Sequence, residues 1–195
     1  MQPVGIPSEV SGIAGDLHRY LQQGRDSLLR ALDGTSEYDA RRPLVPSGTN
    51  LLGLVKHVTG IEAGYLGDCV GRPVPVPLPW TDDWDGGDMW ATPDESREHL
   101  LGLYRAVWAH SDESIARLPL DAPATVAWWP QERRATTFGH LLVRVVAETA
   151  QHAGHADIVR ELIDGRGGRD HDDLGDPDWW SAYVAKLQAA ADTFR

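Results

Sequence analysis

The chain is almost without cysteine. Cys69 stands alone among 195 residues, so no disulfide can form within the chain and a cysteine-rich zinc site is excluded. Basic residues are also in deficit, with 18 Lys and Arg against 29 Asp and Glu and a formal net charge of -11. A general nucleic-acid binder needs clustered cations to neutralise phosphates, and docking on an anionic membrane needs the same, so neither partner is expected. No apolar run approaches the ~18 residues of a membrane span. The opening MQPVGIPSEVSG has no basic region followed by an apolar one, so it does not read as a secretory signal. These absences lead to the expectation of a cytoplasmic protein acting on a small molecule. Strand-type alternation is scarce too; only TVAWW (125–129) suggests a brief extended piece.

Helical periodicity is what remains. With 42% hydrophobic residues the chain can bury one core, and a single domain over 1–195 is expected. Core helices are predicted at about 13–32, 50–70, 93–118 and 137–163, with a tail helix at about 179–193. Thr49 or Asn50 is a plausible cap for the second. Thr92-Pro93 followed by Glu95 reads as a capping box for the third. The fold class is therefore all-α: a four-helix bundle with long connections and a short C-terminal helix. The segment RPVPVPLPWTDDWDGGDMWA (72–91) is long for a bundle linker, and its Trp80, Trp84 and Trp90 favour an ordered, functional loop. Exposed Trp179 and Trp180 in the tail could cover this bundle or a partner's, so a homodimer is a further expectation.

The stretch ETAQHAGHADIVRE (148–161) carries the chemistry. On a helical wheel, Glu148, His152 and His155 fall close to the buried direction set by Leu141, Val145 and Val159. Glu148 and His152 are spaced i, i+4, which lets one helix offer two ligands to one ion. A buried Glu–His hydrogen bond is the plainer alternative at this point. A third ligand would come from His57 in LLGLVKHVTG, with His110 as its competitor, while His18, His99, His140 and His171 read as surface or terminal residues. Glu62 points into the apolar arc of the second helix and must meet an arginine, a histidine or the surroundings of an ion.

NLLGLVKHVTG followed by ETAQHAGHADIVRELIDG resembles the DinB-like superfamily, which includes metal-dependent thiol transferases and mycothiol-dependent maleylpyruvate isomerases. Within it, the chain is similar to an actinobacterial branch with WW before the last bundle helix, E-x3-H-x2-H-A-D on that helix and a DWW tail. Here these are Trp128-Trp129, Glu148 to Asp157 and Asp178 to Trp180, so the likeness spans nearly the whole chain. The resemblance implies a divalent-metal site of His57, Glu148 and His152, with zinc the default ion and nickel, iron or manganese compatible. It implies thiol S-transfer or isomerisation with a low-molecular-weight thiol such as mycothiol. His155 and Glu62 are then the candidate catalytic, proton-handling groups. No counterpart of the extra C-terminal domain of the mycothiol-dependent isomerases is expected within these 195 residues, where only the short tail helix follows the bundle, so the thiol is implied by analogy. A non-catalytic metal- or ligand-binding bundle and a metal-dependent hydrolase are the alternative readings.

Overall fold

A computed structural model describes residues 11–81, 86–168 and 176–195. Trp84, His171 and the N-terminal segment lie outside the described residues. Among the described residues six α-helices form the frame: α1 (Gly12–Leu32), the short α2 (Glu37–Arg41), α3 (Leu51–Leu66), α4 (Arg97–Arg117), α5 (Phe138–Asp164) and α6 (Pro177–Asp192). The expected all-α bundle is present and consists of α1, α3, α4 and α5. α6 has no buried residue; its Trp179, Trp180 and Tyr183 pack on one another. Among the described residues no helix is long and apolar enough to cross a membrane.

The helix starts follow local chemistry. The Asn50 side chain accepts the Gly53 N–H and caps α3. Thr137 does the same for α5 through the His140 N–H, and Gly165, at φ 77°, closes that helix in the left-handed conformation. The capping box expected at Thr92 is a correction. Thr92 and Glu95 do bond to each other, but they close a turn, and α4 begins after Ser96, whose hydroxyl accepts the His99 N–H. Sequence reading also missed α2 and placed the extended piece two residues late. A two-stranded antiparallel ladder pairs β1 (Pro123–Thr125) with β2 (Ala135–Thr137) and brings Trp128 and Trp129 back against the bundle.

The core falls into two apolar clusters. One holds Leu28, Leu52, Val55, Leu100, Tyr104 and Val159; the other holds Leu21, Leu66, Ile115, Phe138, Leu141 and Val145. Along α1 and α5 the chain passes from the second cluster to the first, and along α3 and α4 from the first to the second. The bundle is thus up-down-down-up, with α3 and α4 parallel. Parallel neighbours need a connection that travels back the length of the bundle, which accounts for the long segment between α3 and α4. Between the clusters lies a polar belt of Arg25, Glu62, Asp112, His152 and the half-buried Glu148.

Candidate metal centre

The belt separates into two groups. On one side Arg25 is fully buried; its Nε donates to Glu62 Oε2 at 3.2 Å, its Nη2 to Glu62 Oε1, and its Nη1 to Asp112 at 2.7 Å. His18 Nε2 joins Asp112 at 2.9 Å, and the guanidinium lies over Trp108. A buried carboxylate and guanidinium this well matched satisfy each other. Both oxygens of Glu62 are therefore engaged in holding α1 to α3, an occupation that gives no support to the proton-handling role expected of it. His18, read as a surface residue, is buried here because Asp112 gives it a partner.

On the other side His57 (α3), Glu148 and His152 (both α5) converge. One donor atom from each lies within 4.8 Å of the others. Glu148 Oε1 is 3.8 Å from His57 Nε2 and 3.5 Å from His152 Nε2, and the two imidazoles meet edge to face. Donors bound at about 2.1 Å around one tetrahedral ion stand roughly 3.4 Å apart, so the two carboxylate–imidazole spacings fit a small divalent cation, and the two imidazoles close on it by side-chain rotation. The remaining ring nitrogens are engaged elsewhere. His57 Nδ1 lies 2.6 Å from Asp88 Oδ2, and His152 Nδ1 lies 3.3 Å from His155 Nδ1. An imidazole that donates its outer N–H to a carboxylate turns the unprotonated nitrogen toward the centre, the arrangement a ligating histidine requires. Burial, then the nearby His57, holds the His152 imidazole below its ordinary pKa against the pull of Glu148, which favours the neutral ligand form.

His110 is not a rival ligand. Its ring bonds the Arg72 carbonyl at 2.7 Å near the other end of α4. His155 departs from expectation, because it is exposed rather than buried. It lies about 60° round the helix from His152, and the buried arc of α5 runs through Thr149, His152, Ala156 and Val159. Its ring still packs edge-on against His152.

Asp88 escaped sequence reading because it sits in an acidic loop where no spacing rule singles it out. Its position is built. Gly53 lets the loop backbone approach so closely that a Cβ there would lie 1.9 Å from the Met89 carbonyl oxygen. Asn50 Nδ2 donates to that carbonyl at 3.0 Å. One turn on, buried Lys56 donates to the Trp90 carbonyl and to Glu95 and lies over the Trp80 ring. The α3 cap Asn50 and two residues of the helix, Gly53 and Lys56, thus hold the loop that presents Asp88 to His57.

A cleft of about 870 Å³ opens beside His57. Ile61, Val74, Val76 and Trp80 form apolar wall, Trp128 and Trp129 form aromatic wall, and Asp88 and Arg144 are among its polar groups. Both indole N–H groups point to the Tyr65 hydroxyl at 3.4 Å. Trp80 thus joins the pocket, whereas Trp90 of the same loop is exposed and outside it.

No protein with a curated description matches the chain significantly. A crystal structure of a conserved protein from Enterococcus faecalis shares the fold at a TM-score of 0.64 and 14% identity, over 80% of this chain and 99% of that one. At that identity the likeness speaks for the bundle alone. The family model for mycothiol-S-transferases matches residues 16–165, the four bundle helices with their connections and all three converging residues, and the chain belongs to this DinB-like family.

Proposed function

We propose that the chain is a divalent-metal-dependent S-transferase that adds a low-molecular-weight thiol, mycothiol being the family's namesake, to a small electrophile. The single observation that carries this is the convergence of His57, Glu148 and His152 at the side of an open, largely apolar cleft. Two imidazoles and one carboxylate leave a coordination position free, the arrangement of catalytic rather than structural sites. A divalent cation held by these residues supplies the charge that lowers a thiol's pKa, so that a thiolate is available at neutral pH.

The chain's own residues do the rest. Asp88 fixes the His57 tautomer. His155, exposed and packed edge-on against His152, is the residue we assign to carry the thiol proton to solvent, its Nδ1 turning from the His152 ring to accept it. Ile61, Val74, Val76 and the Trp128-Trp129 wall hold an apolar electrophile and exclude water from the reacting carbon. A new C–S bond forms there as the leaving group departs or as the electrophile's double bond takes up the electron pair. Zinc is the default ion for this donor set, and the cytoplasm, where such thiols are kept reduced, is the fitting compartment.

The test is thiol consumption by zinc-loaded protein with 1-chloro-2,4-dinitrobenzene as electrophile, beside the His152→Ala variant. The expected result is metal- and His152-dependent loss of thiol. Product that forms equally well without thiol points to metal-assisted hydrolysis instead. Metal binding with no turnover on any thiol–electrophile pair leaves a binding bundle.

A further inference from the structure

Arg144 stands on α5 one turn before Glu148, on the same face of the helix as the cleft. Its guanidinium carbon lies 5.0 Å from the centre of the Tyr65 ring and 5.7 Å from that of Trp129. Stacking over aromatic faces fixes the plane of a guanidinium and leaves its N–H edges free to bond in that plane. The side chain is exposed to the cleft, and among the described residues no carboxylate lies within ion-pairing distance of it. The carboxyl groups nearest the site are committed otherwise: Asp88 to His57 and Glu148 to the triad. Asp68, also on the cleft wall, makes no ion pair with Arg144. Among the described residues Arg144 is thus the one guanidinium lining an aromatic-walled space that His57 of the metal centre also lines.

We infer that the cleft selects electrophiles bearing a carboxylate on a flat apolar body, with Arg144 receiving the carboxylate while the reacting carbon points toward Glu148 and His57. This rests on the proposed S-transfer for the word electrophile, but the recognition itself requires neither thiol nor metal. A planar monoanion matches the bidentate edge of a fixed guanidinium. A phosphate dianion suits the place less well, because Asp68, Asp88 and Glu148 repel the second charge. The spacing of one helical turn between Arg144 and Glu148 corresponds to ~5–6 Å between their Cβ atoms, about the breadth of one aromatic ring.

The matched probes are 4-chloro-3-nitrobenzoate and 4-chloro-3-nitrobenzamide, which differ only in the charge of the group opposite the reacting carbon. Binding is read first, without thiol, from quenching of tryptophan fluorescence in wild type, Arg144→Gln and Arg144→Lys. Wild type is expected to bind the benzoate about tenfold more tightly than the benzamide, the glutamine variant to bind both within about twofold, and the lysine variant to recover part of the difference. The preference is also expected to shrink with added salt, a readout that needs no variant. Equal binding of the two probes by wild type, or a preference that survives Arg144→Gln, overturns the inference. So does a carboxylate preference that moves to the thiol, seen as Arg144-dependent discrimination between 3-mercaptopropionate and 2-mercaptoethanol with the aromatic pair equal.

Turnover is read second. The thiolate sulfur attacks the chlorine-bearing ring carbon, the C–S bond forms, the C–Cl bond breaks and chloride leaves with its electron pair, while the thiol proton passes to solvent. Selective binding without turnover keeps the assignment of Arg144 and sinks S-transfer. Turnover without selectivity does the reverse.

Discussion

Replacing Gly53 with alanine separates the metal centre from the stability of the bundle. The new methyl group would lie 1.9 Å from the Met89 carbonyl oxygen and 2.9 Å from Asn50 Nδ2. The oxygen is backbone, so the loop must retreat by more than an ångström to reach even a tight contact. That movement breaks the Asn50–Met89 hydrogen bond, worth about 1 kcal/mol, and strains the helix cap, worth about as much again. Alanine returns up to about 1 kcal/mol of helix propensity over glycine. The net loss of fold stability is therefore only about 1 kcal/mol. Asp88 is the residue beside Met89, and its 2.6 Å contact with His57 cannot survive a shift of that size. Losing an outer carboxylate from a ligating histidine lowers metal affinity about 10–100-fold. Zinc affinity measured by chelator competition should fall by that factor while the thermal midpoint of the metal-free protein changes by a few degrees. Asp88→Asn, which leaves the loop in place, should lower affinity by a comparable amount. Wild-type zinc affinity in Gly53→Ala, with stability lowered, would refute the argument that the loop positions His57.

Glu62→Ala should act in the opposite sense. Removing it leaves Arg25 buried without its main partner, at about 3–5 kcal/mol, read as a large drop in the denaturation midpoint. The folded fraction should still bind zinc, and zinc loss with unchanged stability would show that Glu62 belongs to the metal site after all. Acid sensitivity should trace to Asp112. Burial alone would raise its pKa, but the His18 hydrogen bond and the Arg25 charge outweigh that and leave it below the ordinary carboxylate range. Its stabilising contribution is fully present above the unfolded-state value near ~4 and is lost as pH falls through the lower folded value. Urea midpoints followed downward in pH should show this acid limb in wild type and a flatter one in Asp112→Asn; equally steep limbs would assign it to other carboxyls.

The frame was legible because bundle helices announce themselves through apolar spacing, and four core helices were found where periodicity put them. Their ends were less so. Thr92-Pro93-Glu95 has the residues of a helix start, yet Ser96 supplies the cap actually used, and only the packing of the loop decides between them. Glu148 and His152 could be paired from their i, i+4 spacing, because a helix fixes that geometry locally. His57 could be attached to them only by resemblance, since the approach of α3 to α5 is tertiary. The wheel overestimated His155: it treats one direction as inward, while α5 packs against both α1 and α3 and leaves a narrower arc for the cleft. Asp88 and Arg144 had no signature as site residues. Asp88 meets the site through the crossover loop that the parallel α3 and α4 require, and Arg144 meets Trp129 only where the hairpin before α5 folds back, facts of topology that no local pattern carries.

The measurement that tests the account most directly is metal content by mass spectrometry on protein purified without chelator or affinity tag, beside His152→Ala. The account predicts about one divalent ion per chain in wild type and its loss in the variant with the fold retained. A wild-type protein that holds no ion even after incubation with zinc and nickel, or a variant that holds as much as wild type, would contradict it and leave His57, Glu148 and His152 as a polar cluster in the belt between two apolar cores.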